Sequence, residues 1–556
     1  MNVAHHWPPR LSAELRAPRT SLWENLATSA RRYPDKTAIR FFDRALSYRD
    51  LIADCETLAA WLSSAGIRAG DRVLVMMQNC PQLVTAHYAI MRANAVVVPI
   101  NPMNKAAELG HYIKDSGAKA AICSAELARE ISQANDALPA GQQLQRLVVT
   151  RYADAFDATA SRPIPIPPEW NDWLYTGDLP VDGKTPVTPW VEALASTQPP
   201  PPLIDDPDRP CLLPYTSGTT GAPKGCVHHH GSIMHNAVAC WHWIDGDPES
   251  VMLAVLPLFH ITGLVCVMHG TLFGGGTLVI LPRWQRDLAC HLIGETGITH
   301  WLCIPTMVVD LLASPDLEHY DLSRLAFIGG GGAAMPEAVA ARLNSLYGLD
   351  FVEGYGLTET SGPTHMNPCH RPKLQCLGIP FMSTDAKVLD PDTREECAEN
   401  VPGEIAISGP QIFQGYWNND EATAKSFVYI GGRKYFLTGD LGRRDEEGYF
   451  YITDRIKRMI NASGFKVWPA EVENLLFNHP GIQEVCVVGS QDSYRGETVR
   501  AVVVRRPSHP ELDADTLIGW CREHMAAYKV PKIVDFVDAL PKNGSGKIMW
   551  RELQTL

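Results

Sequence analysis

At 556 residues the chain is too long for one hydrophobic core, and at roughly 100–200 residues per domain it predicts three or four packing units. Its charged fraction of 20% and apolar fraction of 45% are those of a folded globular protein, and a net charge of −13 argues against nucleic acid as its partner. Fourteen cysteines are scattered without a C-x-x-C pair, several inside apolar runs (Cys266, Cys303, Cys486), which predicts free thiols in a reducing cytoplasm.

From Met1 to Pro18 there is no apolar signal-peptide region. Leu51, Ile52, Cys55, Leu58, Ala59 and Leu62 then fall on one helical face, and Ser47 and Asp50 are spaced to cap that helix. Short β-rich runs at Arg72–Met77, Ala95–Ile100, Ala118–Cys123 and Arg146–Thr150 alternate with helical patterns, so parallel α/β layers are expected. Prolines crowd the stretch from Tyr152 to Asp206, which reads as a surface connection of polyproline character.

A second α/β stretch runs from Cys211 to about Pro368 and opens on Tyr215-Thr216-Ser217-Gly218-Thr219-Thr220-Gly221-Ala222-Pro223-Lys224-Gly225. Backbone N–H groups freed by glycines, clustered hydroxyls and a terminal cation together suit a polyphosphate. A flexible Gly/Ser turn would explain the glycines but not the hydroxyls and lysine, and the G-x-x-x-x-G-K-[ST] pattern does not fit. The longest apolar stretch, Val251–Val267, is broken by Pro257, His260 and Thr262, so it reads as buried strand, turn and helix rather than a membrane span; any membrane contact would be peripheral. His260 is either a satisfied core histidine or, between Pro and Gly turn signals, a pocket-lining one.

The strand Arg324–Ile328 enters Gly329-Gly330-Gly331-Gly332-Ala333-Ala334, whose missing side chains would let a ligand touch backbone. Next, Glu353-Gly354-Tyr355-Gly356-Leu357-Thr358-Glu359-Thr360 offers an uncrowded ring for a base and, in Glu359, a carboxylate for Mg²⁺; alone it could be a surface turn. Residues 371–454 look β-rich, and within them Thr438-Gly439-Asp440 could grip ribose hydroxyls or simply cap a helix. Asp454 to Val467 joins the cations Arg455, Lys457 and Arg458 to a turn at a composition boundary. A compact unit follows, with helices expected over Ala470–Asn478 and Asp513–Met525 and strands over Glu484–Gly489, Val499–Arg506 and Ile533–Asp538. Lys547 lies on a pliable Gly/Ser arm near the C-terminus, where it is either a solvated charge or one that reaches a phosphoryl group.

In this order the six elements resemble the adenylate-forming superfamily of acyl-CoA synthetases, luciferases and nonribosomal adenylation domains, from about Leu22 to Arg551. Pro257–Thr262, Thr306–Ser314, Ile328–Val339 and Asp454–Leu476 look most like bacterial long-chain fatty acid–CoA ligases. The resemblance implies an α/β protein. A large N-terminal domain of layered α/β sheets plus a β-rich subdomain (1–454) would bind AMP and the acyl group, and a small mobile α+β domain (455–556) would follow. It implies ATP, Mg²⁺ and CoA: a carboxylate attacks the α-phosphate to give an acyl-adenylate and pyrophosphate, and the CoA thiol then displaces AMP.

By the same resemblance Thr216, Ser217, Gly218, Thr219, Thr220 and Lys224 would hold the β- and γ-phosphates, and Thr216 would help Glu359 bind Mg²⁺. Tyr355 and Gly356 would meet adenine, Thr358 the α-phosphate, and Asp440 and Arg455 the ribose. Lys547 would bridge carboxylate and phosphate. His260 and the backbone of Gly331, Gly332 and Ala333 would line the acyl site, while Asp454, Arg455 and Lys457 form a hinge and Gly464 flanks the pantetheine tunnel. One departure is that coumarate-type ligases and luciferases commonly carry a catalytic lysine where Asn461 stands; here Lys466 follows instead. The favoured reading is a medium- to long-chain fatty acyl-CoA synthetase. The alternatives are an aryl or other carboxylic acid–CoA ligase, an enzyme that loads a separate carrier protein, and a non-catalytic nucleotide binder. The sequence leaves the oligomeric state open, a homodimer included.

Overall fold

The computed structural model describes residues 6–156, 166–176, 184–216, 223–455, 458, 460–462, 465–467, 469–492, 496–542 and 548–554. The chain divides into two compact units. The larger comprises Met1–Asp385, Ile407–Phe436 and Glu447–Tyr449; the smaller comprises Ala386–Ala406, Leu437–Glu446 and Phe450–Leu556.

Two sheets organise the larger unit. Among the described residues the first has nine strands, in the order Ile379–Pro380, Gly362–Met366, Phe351–Leu357, Phe327–Gly330, His300–Cys303, Val251–Ala254, Thr277–Ile280, Thr37–Phe41, Arg44–Ser47. Its inner strands, from Phe351–Leu357 to Thr37–Phe41, run parallel. The second sheet orders Gly415–Tyr416, Lys224–His229, Pro210–Leu212, Val96–Pro99, Arg72–Met76, Ala120–Ser124, Arg146–Thr150 and Val187–Pro189, with Tyr215–Thr216 paired beside Lys224–His229. The near-continuous apolar runs of both sheets follow from burial on two faces, as parallel strands require.

Local signals act as expected. Ser47 Oγ accepts from Asp50 N at 3.1 Å while Asp50 Oδ2 accepts from Ser47 N at 3.3 Å, a reciprocal cap on the helix Tyr48–Ser64. Leu51, Cys55, Leu58, Ala59 and Leu62 on its inner face are buried, and Ile52 is half-buried at its edge. One reading needs correction. The proline-rich stretch is more than a connection: Val187–Pro189 extends the second sheet in parallel beside Arg146–Thr150, and Arg92 and Asn94 donate to the carbonyls of Pro201 and Pro202 at 2.6 and 3.0 Å. A proline segment has lost donors but keeps every carbonyl, so it can still be fastened from outside. After Val251–Ala254 the apolar run also forms a π-helix over Gly263–His269 before the α-turn Gly270–Gly274, a wider winding that tends to occur near functional sites.

Between the sheets, the helix His230–Trp243 packs on strands of both, and Tyr88 from the helix Pro81–Arg92 bonds His269 of the π-helix at 2.8 Å. This shared layer is rich in histidine. Burial holds His87 and His230 down at about 3 and His235 at about 4, with His269 also well below its ordinary value.

In the smaller unit, Ile482–Asp492 and Gly496–Arg505 form the long central pair, flanked by the hairpin Ile460–Ala462/Phe465–Val467 and by Ile533–Phe536. Val485 and Val487 pack with the helices Pro469–Leu476 and Ala514–His524, while Cys486 and Val488 pack with Leu540 and Leu553. Alternate residues thus serve two cores, which is why this strand reads as unbroken apolar sequence.

Candidate active site

In open α/β sheets ligands bind beyond the carboxyl ends of the strands. His260 follows Val251–Ala254, the glycine run continues Phe327–Gly330, and Thr358–Thr360 follows Phe351–Leu357. The strands Phe327–Gly330 and Phe351–Leu357 are parallel neighbours with Gly330 opposite Glu353, so the glycine run and the Tyr355–Glu359 segment leave the sheet side by side. Cβ atoms at Gly330 and Gly331 would overlap the carbonyl oxygens of Cys303 and Gly354; glycine is what lets these backbones close up. Beyond them Gly332 and Ala333 are exposed, and so is the side chain of His260, which is therefore not a core histidine.

Glu353, buried and raised in pKa chiefly by desolvation, accepts from Met335 N at 2.9 Å and Gln375 N at 2.6 Å. Its carboxylate ties down the segment after the glycines rather than facing a ligand.

The two described arms of the candidate phosphate loop pair antiparallel. Thr216 opposes Lys224 and Tyr215 opposes Gly225. The helix Ala106–Ser116 fixes both arms: Tyr215 donates to Asp115 at 2.6 Å, and His111 Nε2 donates to Pro223 O at 2.9 Å. Lys224 Nζ sits 5.0 Å from the centroid of the Tyr416 ring. Tyr416 in turn donates to Glu359 Oε1 at 2.8 Å, and burial with this carboxylate raises the phenol's pKa. The end of the phosphate loop and the candidate metal carboxylate thus bracket one phenol. Tyr416 escaped the sequence reading because it lies far from both motifs and only strand pairing, Cys226 opposite Tyr416, brings it there.

Tyr355 is half-buried with its ring 5.8 Å from that of His365, directly opposite in the antiparallel pair. Two asparagines, also missed, hold the loops of the first sheet. Asn79 donates to the carbonyls of Ala254, Leu256 and Leu281 and accepts from Leu258 N at 2.8 Å, fixing the turn that leads to His260. Asn236 donates to the carbonyls of Thr360, Ser361 and Pro363.

Within the smaller unit, Asp440 and Arg455 stand opposite each other on paired strands, and Asp440 is 1% exposed. Gly439, at φ 72°, turns the chain there, its N–H donating to Glu404 at 3.0 Å. Arg458 is bound internally, to Glu473 and to Val487 O. Asn461 and Lys466 oppose each other across the hairpin. Lys542 pairs with Glu484 at 2.8 Å and forms an antiparallel β-bridge with Ile548. Ser217, Gly218, Thr219, Thr220, Lys457, Gly464 and Lys547 lie outside the described residues.

A layered α/β fold in which a lysine at the end of a hydroxyl-rich segment and a buried carboxylate meet at one phenol has the features of an enzyme that handles phosphate. The chain belongs to the AMP-binding enzyme family: the model of that family matches residues 26–417, and that of the AMP-binding enzyme C-terminal domain matches 471–547. It is 36% identical to a long-chain-fatty-acid–CoA ligase of Bacillus subtilis over 98% of this chain and 96% of the relative. It is equally 36% identical to a feruloyl-CoA synthase of Amycolatopsis, over 94% of this chain and 96% of the relative. The crystal structure of ATP-bound MatB from Rhodopseudomonas palustris superposes with a TM-score of 0.82 at 27% identity, covering 96% of this chain and 98% of that one.

Proposed function

We propose that the protein is a medium- to long-chain fatty acid–CoA ligase, which activates its acid with ATP as an acyl-adenylate and passes the acyl group to CoA, releasing AMP and pyrophosphate. The observation that carries this reading is the Lys224–Tyr416–Glu359 bracket at the end of the hydroxyl-rich segment. A cation and a carboxylate flanking one position suit a triphosphate that arrives with its own metal. Among the described residues no group of three or more His, Cys, Asp or Glu side chains could hold a metal alone, so Mg²⁺ would share Glu359 and Thr216 with phosphate oxygens. Bound there, it supplies neutralisation of phosphate charge.

In this reading the loop Thr216–Lys224 grips the β- and γ-phosphates, Thr358 meets the α-phosphate, and Tyr355 and Gly356 take the adenine. Asp440 and Arg455 take the ribose; their opposition on one strand pair supports a shared ligand. The exposed glycine run and His260 line the acyl site. Residues 1–454 act as the AMP- and acyl-binding domain and 455–556 as a mobile domain that turns about Asp454, Arg455 and Lys457. That domain delivers Lys547 for adenylation and Gly464 for the thiol. Lys466 takes over the charge expected at Asn461, a relocation supported by their facing positions in the hairpin. The reaction needs no membrane insertion, and no described helix is long and apolar enough to cross one; we place it in the cytoplasm.

A second reading, an aryl acid–CoA ligase, is favoured by the equal identity to a feruloyl-CoA synthase. Acid-dependent pyrophosphate release over C4 to C18 and aromatic acids, with and without CoA, separates the two. Turnover of saturated chains with thioester formed only when CoA is present is expected; turnover of cinnamate-like acids alone would establish the second reading.

A further inference from the structure

The strand Lys224–His229 and the helix His230–Trp243 leave the candidate phosphate loop as one continuous piece of chain. Two fully buried polar side chains on that piece reach the same target. His228 Nε2 lies 2.7 Å from Thr358 O. A carbonyl can only accept, so Nε2 carries a hydrogen; burial, which pushes the ring's pKa down to about 4, keeps it neutral at pH 7. Asn236 Nδ2 lies 3.1 Å from each of Thr360 O, Ser361 O and Pro363 O.

The bonds therefore fall on the backbone on both sides of Glu359 and leave its carboxylate to face Tyr416. The turn they hold is not one the chain adopts unaided. Ser361 sits in the left-handed region at φ 48°, a conformation that persists only where its surroundings enforce it. Its hydroxyl donates to Gln411 O at 2.8 Å, and Thr360 Oγ1 accepts from Leu357 N at 2.9 Å and donates to Gly362 O at 2.7 Å. Two buried side chains that merely filled their hydrogen-bonding needs could have met any carbonyl; both meet the turn that carries Thr358 and Glu359.

We propose that His228 and Asn236 are positioning residues for adenylation, clamping the Thr358–Pro363 turn to the arm that bears Lys224 so that both sides of the triphosphate site move as one body. This rests on the reading of Thr358 and Glu359 as nucleotide- and Mg²⁺-facing groups. The clamp contributes through placement, and a fixed placement is felt most in the transition state. Its loss should therefore lower kcat of the first half-reaction more than it weakens nucleotide binding.

The test compares H228L, H228Q, N236A and E359Q in the full-length protein. It reads kcat and KM for Mg·ATP in acid-dependent pyrophosphate release, calorimetric Kd for Mg·ATP without acid, thioester formation from supplied acyl-adenylate, and melting temperature. Glutamine can place an amide N–H where Nε2 stands, whereas leucine cannot. H228L and N236A should each lower adenylation kcat about tenfold. Kd for Mg·ATP and thioester formation should change no more than about twofold, and H228Q should recover most of the loss. Equal loss in both half-reactions, matching a fall in folded fraction, would overturn the proposal, as would an H228Q no better than H228L. If H228L does not fold, H228Q and N236A decide the matter by the same criteria. Full adenylation by E359Q would defeat the underlying reading, whereas its loss in E359Q with wild-type kcat in H228L and N236A would defeat the clamp alone.

Discussion

The two sheets of the larger unit share a parallel core but end differently. In the first, strand ends open into Gly331–Ala333, the turn before His260 and Thr358–Glu359, and Gly332, Ala333 and His260 are exposed. In the second, the ends of Arg72–Met76, Ala120–Ser124 and Arg146–Thr150 are plugged. The Tyr152 hydroxyl accepts from Gln78 N at 2.9 Å and sits 2.9 Å from Glu126 Oε1 and 3.0 Å from Ser124 Oγ. Arg283 stacks on Trp173 at 4.3 Å, and its charge also acts on Glu126. The same topology thus ends in two ways, and the side chains at the strand ends make the difference. The plugged sheet is not idle. Its Asn79 fastens the turn before His260 in the open sheet, so one sheet's rigidity orders the other's loops.

The largest effect should come from the layer the two sheets share. His87, His228, His230, His235 and His365 are all held below the ordinary value of 6.5, at about 3 to 4, by burial. The unfolded chain therefore binds protons that the folded chain does not, so stability is full above about pH 6.5 and falls as pH drops toward those folded-state values. Each ring contributes about 2 kcal/mol of loss by pH 5. Five rings together rival a typical folding stability of about 5–15 kcal/mol. Urea midpoints by circular dichroism should fall steeply between pH 7 and 5; a flat profile would mean that the sheets do not share a neutral layer.

Closing the open sheet should have the next largest effect. Gly331→Ala drives a Cβ into the carbonyl of Gly354 and should cost about 3 kcal/mol. Adenylation per folded molecule should drop at least about tenfold, since Tyr355 and Thr358 leave the sheet alongside. Unchanged activity would show that the glycine run does not shape the site. The smallest effect is expected from opening the plugged sheet. Tyr152→Phe strands the Gln78 N–H and removes a donor from Glu126, costing about 1–2 kcal/mol in urea titration while leaving activity per folded molecule intact. A change in substrate preference would make the second sheet part of the site.

The same contrast separates what could be read from the residues from what could not. Apolar periodicity and turn chemistry placed the strand Arg146–Thr150 to the residue, the inner face and the Ser47 cap of the helix Tyr48–Ser64, and the helices and strands expected in the last unit to within a few residues. Elsewhere reach failed. Val187–Pro189 is three residues among prolines, too short for any period, and is a strand only because Leu147 to Val149 lie beside it. The π-helix keeps an apolar composition that no spacing distinguishes from an α-turn.

By itself, the sequence determined the alternation of elements and the local chemistry of the motifs: hydroxyls and Lys224, the glycine run, Tyr355 to Glu359, Asp440 and Arg455. Each is a property of neighbouring residues, written in side-chain type and spacing. Only the tertiary structure decided that Tyr416 stands between Lys224 and Glu359, that Asn79 holds the approach to His260, and that His228 and Asn236 hold the turn around Glu359. Their partners are carbonyls and charges scores of residues away. A hydrogen bond to a distant backbone oxygen leaves no period and no motif in the chain, because any residue can supply that oxygen and only strand order brings it within reach.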